Sequence, residues 1–132
     1  MNQNAAITEY IRSLYAPEDD ALIAAKEAPA RHGIPAIQIQ AHEGKMLQFL
    51  ARSVGARKAV EIGALAGYSG IWLARALPED GKLISLEVSS KHAEAVRESF
   101  DRAGLNGRAE VRVGNAHDML EALREEGPFD FC

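Results

Sequence analysis

The chain has 132 residues, 47% of them hydrophobic and 26% charged, with fifteen basic against nineteen acidic side chains and a net charge of −4. That length holds one hydrophobic core rather than two, and the composition excludes a disordered chain. The acidic balance speaks against nucleic acid or an anionic membrane surface as a partner, because both select clustered Lys and Arg.

No apolar run approaches the roughly 20 residues of a membrane span. Met1-Asn2-Gln3-Asn4 lacks the basic and apolar stretches of a secretion signal. Cys132 is the only cysteine, so no internal disulfide can form and a reducing cytoplasm is the expected setting. In chain order, Ile7, Tyr10, Ile11 and Leu14 fall at helical spacing, and Pro17 closes that segment. Asp19 or Asp20 caps a second helix through Leu22, Ile23 and Ala25, ended by Pro29 and Gly33. A short extended stretch, Ala36 to Gln40, leads to a third helix with Met46, Leu47, Leu50 and Val54 on one face and Gly55 as its stop.

From Lys58 the pattern becomes strand, helix, strand, helix. Ala59 to Ile62 is an apolar strand running into Gly63, and Ser69 to Leu77 is a helix closed by Pro78. Leu83 to Leu86 is a second strand, ending at Glu87. Ser90 caps a helix that buries Ala93, Val96, Phe100 and Ala103. Val111 and Val113 alternate with Glu110 and Arg112 in a third strand, Met119, Leu120 and Leu123 line the next helix, and Phe129 to Cys132 opens a fourth strand. Such alternation implies an α/β fold, a parallel sheet with helices on both faces. The alternating third strand suits a sheet edge, which predicts the order 3-2-1 with the fourth strand beyond the first.

The turn Glu61-Ile62-Gly63-Ala64-Leu65-Ala66-Gly67-Tyr68-Ser69-Gly70 joins the first strand to its helix. Glycine at 63 and 67 lets the backbone turn sharply and approach a ligand closely. The start of the following helix favours a carboxylate or phosphate. Glu87, at the end of the second strand, stands where a carboxylate accepts hydrogen bonds from ribose hydroxyls. A dinucleotide site calls for G-x-G-x-x-G around a pyrophosphate. Here the glycines are at 63, 67 and 70, with Glu61 ahead of them. A carboxylate repels a pyrophosphate but suits an amine. S-adenosylmethionine, with an amine, a carboxylate and a ribose and no phosphate, therefore fits better than NAD.

Glu-Ile-Gly-x-x-x-Gly-Tyr-Ser at 61–69 closely resembles the first motif of the cation-dependent O-methyltransferases, the group that contains the caffeoyl-CoA and catechol enzymes. The likeness runs through Gly33-Ile34-Pro35, Glu43-Gly44-Lys45-Met46-Leu47, Trp72 to Pro78, Ala103-Gly104-Leu105, Gly114-Asn115-Ala116 and Phe129-Asp130-Phe131. It implies a Rossmann-like class I methyltransferase fold preceded by N-terminal helices. Residues 1–57 would be a helical segment and 58–132 the first half of the sheet, one incomplete domain.

The resemblance also implies cofactor contacts. Ile39 would lie over the methionine end; Glu61, Gly63 and Ala64 would line the methionine and ribose portion, with Gly67 in the same turn; Ser69 would meet the methionine carboxylate. Glu87 would hold the ribose hydroxyls, Val88 would lie against adenine, and Ala116 would reach its edge. The family's metal-binding aspartates and its lysine correspond to positions beyond Cys132, so a divalent cation is expected in the complete protein alone, and no catalytic residue is assigned here. The implied activity is methyl transfer to a catechol-like or phenolic hydroxyl by a homodimer. Another class I methyltransferase with a different acceptor, or an inactive cofactor-binding fragment, are the alternatives. His32, His42, His92 and His117 are scattered without metal-site spacing; His117 is the one expected nearest the cofactor. Cys132 is expected in a buried strand.

Overall fold

The computed structural model describes residues 3–132. Met1 and Asn2, which open the stretch read as lacking a secretion signal, lie outside them. Three helices come first: α1 (Gln3–Tyr15), α2 (Asp20–His32) and α3 (Ala41–Ser53). The remainder alternates: β1 (Lys58–Ile62), α4 (Tyr68–Ala74), β2 (Lys82–Glu87), α5 (Ser90–Arg102), β3 (Ala109–Val113) and α6 (Ala116–Leu123), with a 3₁₀ turn at Arg124–Glu126.

The strands are parallel in the order β1-β2-β3. On the free side of β1 the chain returns at Phe131, which bridges Ala59 in parallel. Val60 N donates to Phe131 O at 3.0 Å and Asp130 N to Lys58 O at 2.8 Å. The sheet thus has the order expected from the strand patterns, with β3 at one edge. Strand alternation divides the core. Ala59, Leu83 and Val111 face α4 and α5, while Val60, Ile84 and Leu86 face α6 through Leu123. Outside the first layer, α2 packs on α5, α3 on α4 and α1 on α3.

Local chemistry sets the helix ends. Asp19 accepts from Leu22 N at 3.1 Å, Ser89 from His92 N at 3.3 Å and Asn115 from His117 N at 2.9 Å. Glu43 caps α3 in reverse, taking Gln40 N at 2.6 Å. Pro29 does not end α2. It is fully buried inside the helix, which runs on to His32 and stops at Gly33 in the left-handed conformation. α4 ends at Ala74, earlier than the expected Leu77, and passes into a turn.

The apolar residues that share a face on the third helix and on the first stand largely outward. Met46, Leu50 and Val54 of the α3 region are 56%, 42% and 61% exposed, and the helix instead buries Ala41, Gly44, Gln48 and Ala51. The Trp72 indole decides this, because a Cβ on Gly44 would lie 2.3 Å from Trp72 Cδ1. Only a face of small residues lets α3 approach α4 so closely. On α1, the stripe Ile7, Tyr10, Ile11 and Leu14 is likewise exposed. On α6, Leu123 alone is buried, with Met119 half-buried and Leu120 exposed. Cys132 is exposed, not buried.

Candidate functional site: a cleft at the strand ends

β1 and β2 finish side by side, Ile62 paired with Leu86, and Gly63 N donates to Leu86 O at 2.8 Å. The chain then turns through residues 63–67. Gly63 and Gly67 take φ of 81° and 84°, and Leu65, with no glycine's freedom, takes 52°. Glu87 holds this strained turn. Its Oε2 accepts from Ala64 N at 3.1 Å and Leu65 N at 3.0 Å, and its Oε1 accepts from Ser89 N at 3.0 Å with His92 Nδ1 at 3.5 Å. Burial pushes the Glu87 carboxyl up, but the Ser89, Leu65 and Ala64 N–H groups and His92 outweigh it and hold it below the ordinary carboxylate value. Glu87 is therefore an ionised acceptor braced against the turn.

Above the turn lies a cleft of about 320 Å³. One wall is the segment before α3, with Ile37, Gln38 and Ile39; the floor is Gly63 to Ala66 with Tyr68 and Ser69; Glu87 and His92 close the third side. Of the residues singled out from sequence, Ile39, Gly63, Ala64, Ser69 and Glu87 line the cleft together. Gly67 stands behind it, facing α5, where an added Cβ would lie 3.2 Å from Ser99 and 3.3 Å from Phe100. Val88 is 73% exposed past the end of β2, and Ala116 is half-buried against the α6 side of the sheet; neither lines the cleft.

Glu61 sits one hydrogen bond behind the wall. It is buried, with Oε1 2.5 Å from Ser69 Oγ and Oε2 2.7 Å from Ser85 Oγ, and meets no cation in these contacts. Desolvation raises its pKa, the two hydroxyls lower it, and the nearby Glu87 charge raises it again; the net shift is upward.

Sequence reasoning did not identify Ile37, Gln38, Tyr68 and His92 as lining residues. His92, not His117, lies at the cleft, because the Ser89 cap turns the first turn of α5 back toward the end of β2. The sequence signal was a histidine three residues after a capping serine at a strand end. Tyr68 is anchored from the far side. Its hydroxyl donates to Glu18 at 2.7 Å, and Glu18 also takes Lys26 Nζ at 2.9 Å and Arg12 Nη1 at 3.2 Å. That cluster ties α1 and α2 to the first residue of α4. Among the described residues no group of three or more His, Cys, Asp or Glu could hold a metal ion.

A three-strand parallel order with a bridge beyond β1, helices on both faces and a ligand-sized cleft at the strand ends is the architecture of a class I methyltransferase. The profile of the O-methyltransferase family matches residues 12–132, and the chain belongs to that family. It is 48% identical over 127 residues to a catechol O-methyltransferase of Niastella koreensis, covering 95% of this chain and 58% of that protein. A catechol O-methyltransferase of Mycobacterium tuberculosis is 42% identical, with 94% of this chain and 56% of that protein covered. Among solved structures, the O-methyltransferase TomG of Streptomyces achromogenes in complex with S-adenosylmethionine superposes with a TM-score of 0.91 at 40% identity, over 98% of this chain and 60% of that one. The Bacillus cereus O-methyltransferase in complex with S-adenosylhomocysteine gives 0.90 at 42% identity, over 96% and 58%. The chain thus spans somewhat over half the length of these relatives.

Gln38 Oε1, on the wall, is buried without a hydrogen-bond partner, an acceptor suited to a ligand amine. Glu87 adds an ionised acceptor to the cleft, and Ile37, Ile39 and Leu65 give apolar surface.

Proposed function

We propose that this chain forms the cofactor-binding portion of an S-adenosylmethionine-dependent O-methyltransferase whose acceptor is a small catechol-like or phenolic hydroxyl. The observation that carries the reading is Glu87, an ionised carboxylate fixed at the end of β2 by the turn that follows β1, inside a cleft with an unpartnered acceptor at Gln38. The cofactor, when bound, supplies an electrophilic methyl group on a sulfonium. The residues of this chain bind and orient it. Glu87 accepts from the ribose hydroxyls, Gln38 and Ile39 cover the methionine end, Ser69 meets its carboxylate, and Gly63 and Ala64 let the backbone approach. Val88, exposed past the end of β2, offers an apolar face to an adenine that reaches beyond the cleft, and Ala116 meets its edge. Holding the methyl donor rigidly is a large part of such catalysis, because it replaces a bimolecular encounter by a fixed approach.

The catechol acceptor rests on the likeness to the two catechol O-methyltransferases. A divalent cation belongs to the same reading, but the described residues offer no donor cluster for one, so no step is assigned to it from this chain. A homodimer in the cytoplasm completes the reading; the exposed apolar residues of α1 and α3 support the dimer. The test is methyl transfer to catechol by the protein in its full natural length, with magnesium and then with a chelator. Formation of methylated catechol with magnesium, and none once the metal is chelated, is the expected result. Cofactor binding without transfer to any phenol would overturn the acceptor class.

A further inference from the structure

Glu61 and Ser85 face each other in register on β1 and β2, and both point to the side of the sheet covered by α4. Ser85 is fully buried, and its hydroxyl meets Glu61 Oε2 at 2.7 Å. The other carboxyl oxygen meets Ser69 Oγ at 2.5 Å, and Ser69 lines the cleft. The three side chains form a row from the sheet interior to the ligand wall. A serine hydroxyl carries one proton and two lone pairs, so the state of Glu61 dictates what Ser69 can offer. Beside an ionised Glu61, Ser69 must give its proton to the carboxylate and turns only lone pairs toward the cleft. Beside a neutral Glu61, the acid proton can go to Ser69 Oγ, and the Ser69 proton is free for a ligand.

The surroundings favour the neutral form. Glu61 is buried, its hydrogen-bond partners among the described residues are two hydroxyls and no cation, and the charged group acting on it, from β2, is the negative Glu87. From the other elements packed around it, α4 presents Ser69 and Gly70 and α5 presents Phe100; an added Cβ on Gly70 would lie 2.8 Å from Phe100 and 3.1 Å from Glu61 Oε2.

We propose that Ser85, Glu61 and Ser69 form a one-way hydrogen-bond relay in which Ser85 donates to Glu61 Oε2, neutral Glu61 donates from Oε1 to Ser69, and Ser69 donates into the cleft to the cofactor's carboxylate. Ser85 is the positioning residue, because its donation to Oε2 leaves Oε1 as the site of the acid proton. The relay rests on the cofactor reading above and adds to it which groups make Ser69 a donor. It predicts that Glu61→Gln works, since an amide is also neutral and its NH₂ donates to Ser69, and that Glu61→Ala does not.

The experiment measures binding of S-adenosylhomocysteine, and of 5′-methylthioadenosine, which lacks the amino-acid end, to the full-length protein and its variants. Ser85→Ala and Ser69→Ala should each weaken S-adenosylhomocysteine by about tenfold, the size of one hydrogen bond to a charged group, and leave 5′-methylthioadenosine unchanged. Glu61→Gln should keep both affinities. Infrared spectra of the ligand-free protein at neutral pH should contain a carboxylic-acid carbonyl band that Glu61→Gln removes. Equal weakening of both ligands by Ser85→Ala, loss of S-adenosylhomocysteine binding in a folded Glu61→Gln, or absence of the acid band would each overturn the relay while the cofactor reading stands. Failure of the unaltered protein to bind either ligand would overturn the cofactor reading, and the relay with it.

Discussion

At the residue scale, Glu87 carries two burdens that its position at a strand end does not by itself reveal. It offers an acceptor to the cleft, and it holds the N–H groups of Ala64 and Leu65, the latter in a left-handed conformation that costs a non-glycine residue roughly 1 kcal/mol. Glu87→Ala should therefore lose cofactor affinity by at least about tenfold and also lower the folding stability by about 1–3 kcal/mol, since the N–H groups of Ala64, Leu65 and Ser89 lose their acceptor. Glu87→Gln keeps an acceptor oxygen and should cost less in both measurements. Calorimetry and denaturant titration of the two variants check this, and an Ala variant unchanged in affinity would place the cofactor elsewhere. Glu18 acts on the site from a distance. Its side chain is buried beneath Arg12, Lys26 and the Tyr68 hydroxyl, so Glu18→Leu, which leaves Lys26 and the hydroxyl without this acceptor while Arg12 keeps Glu9, should lower the unfolding midpoint. A midpoint within error of the unaltered protein would show that the cluster contributes nothing to the anchoring of α4.

At the element scale, the packing of α3 on α4 depends on the absence of a side chain at one position. Gly44→Ala would put a Cβ into the Trp72 indole, and overpacking of that kind should cost about 1–3 kcal/mol, measured as a lower unfolding midpoint. The link between α2 and α5 joins an apolar contact of Ala28 and Ala95 to an electrostatic one, in which Glu98 takes His32 Nε2 at 2.7 Å and Arg31 Nη2 at 2.9 Å. The His32 bond first, against a smaller effect of burial, and then Arg31 and Arg102 hold the Glu98 carboxyl down to about 2. A lowered carboxyl pKa stabilises the fold above the unfolded-state value and loses that contribution as pH falls through the folded one. Acid unfolding between about pH 4.5 and 2 should therefore shift in Glu98→Gln, which removes the ionisation, and a superimposable acid transition would contradict the link.

The same elements mark how far sequence could reach. The buried face of α5 was legible because Ala93, Val96 and Phe100 are apolar at helical spacing and do pack inward. The face of α3 was not, because its partner Trp72 is distant in sequence and selects small residues, while Met46 and Leu50 look more core-like than Ala41 or Gly44. In the site, Gly63, Ala64, Ser69 and Glu87 lie at strand ends where the fold type places ligands. Gln38 reaches the cleft through loop packing that no local pattern encodes, whereas Tyr68 stands in the glycine turn itself and His92 follows the Ser89 cap.

At the scale of the whole molecule, the described residues leave two kinds of apolar surface uncovered. Ile7, Tyr10, Ile11, Leu14 and Tyr15 of α1 stand out with Met46, Phe49 and Leu50 of α3, and the outer edge of β1 is paired only by the short return at Asp130 and Phe131. An unprotected edge beside apolar patches favours association. Residues 1–132 expressed alone should therefore sediment as a self-associating species and show no methyl transfer. A monodisperse monomer that unfolds sharply and methylates catechol would show that the activity does not need the length present in the relatives. The central claim is that the cleft between the ends of β1 and β2 takes a methionine-based cofactor and not a dinucleotide. Titration calorimetry of the full-length protein with S-adenosylhomocysteine and with NAD tests it most directly. The account predicts saturable binding of S-adenosylhomocysteine that Glu87→Ala weakens, with no heat from NAD; saturable NAD binding with no response to S-adenosylhomocysteine would contradict it.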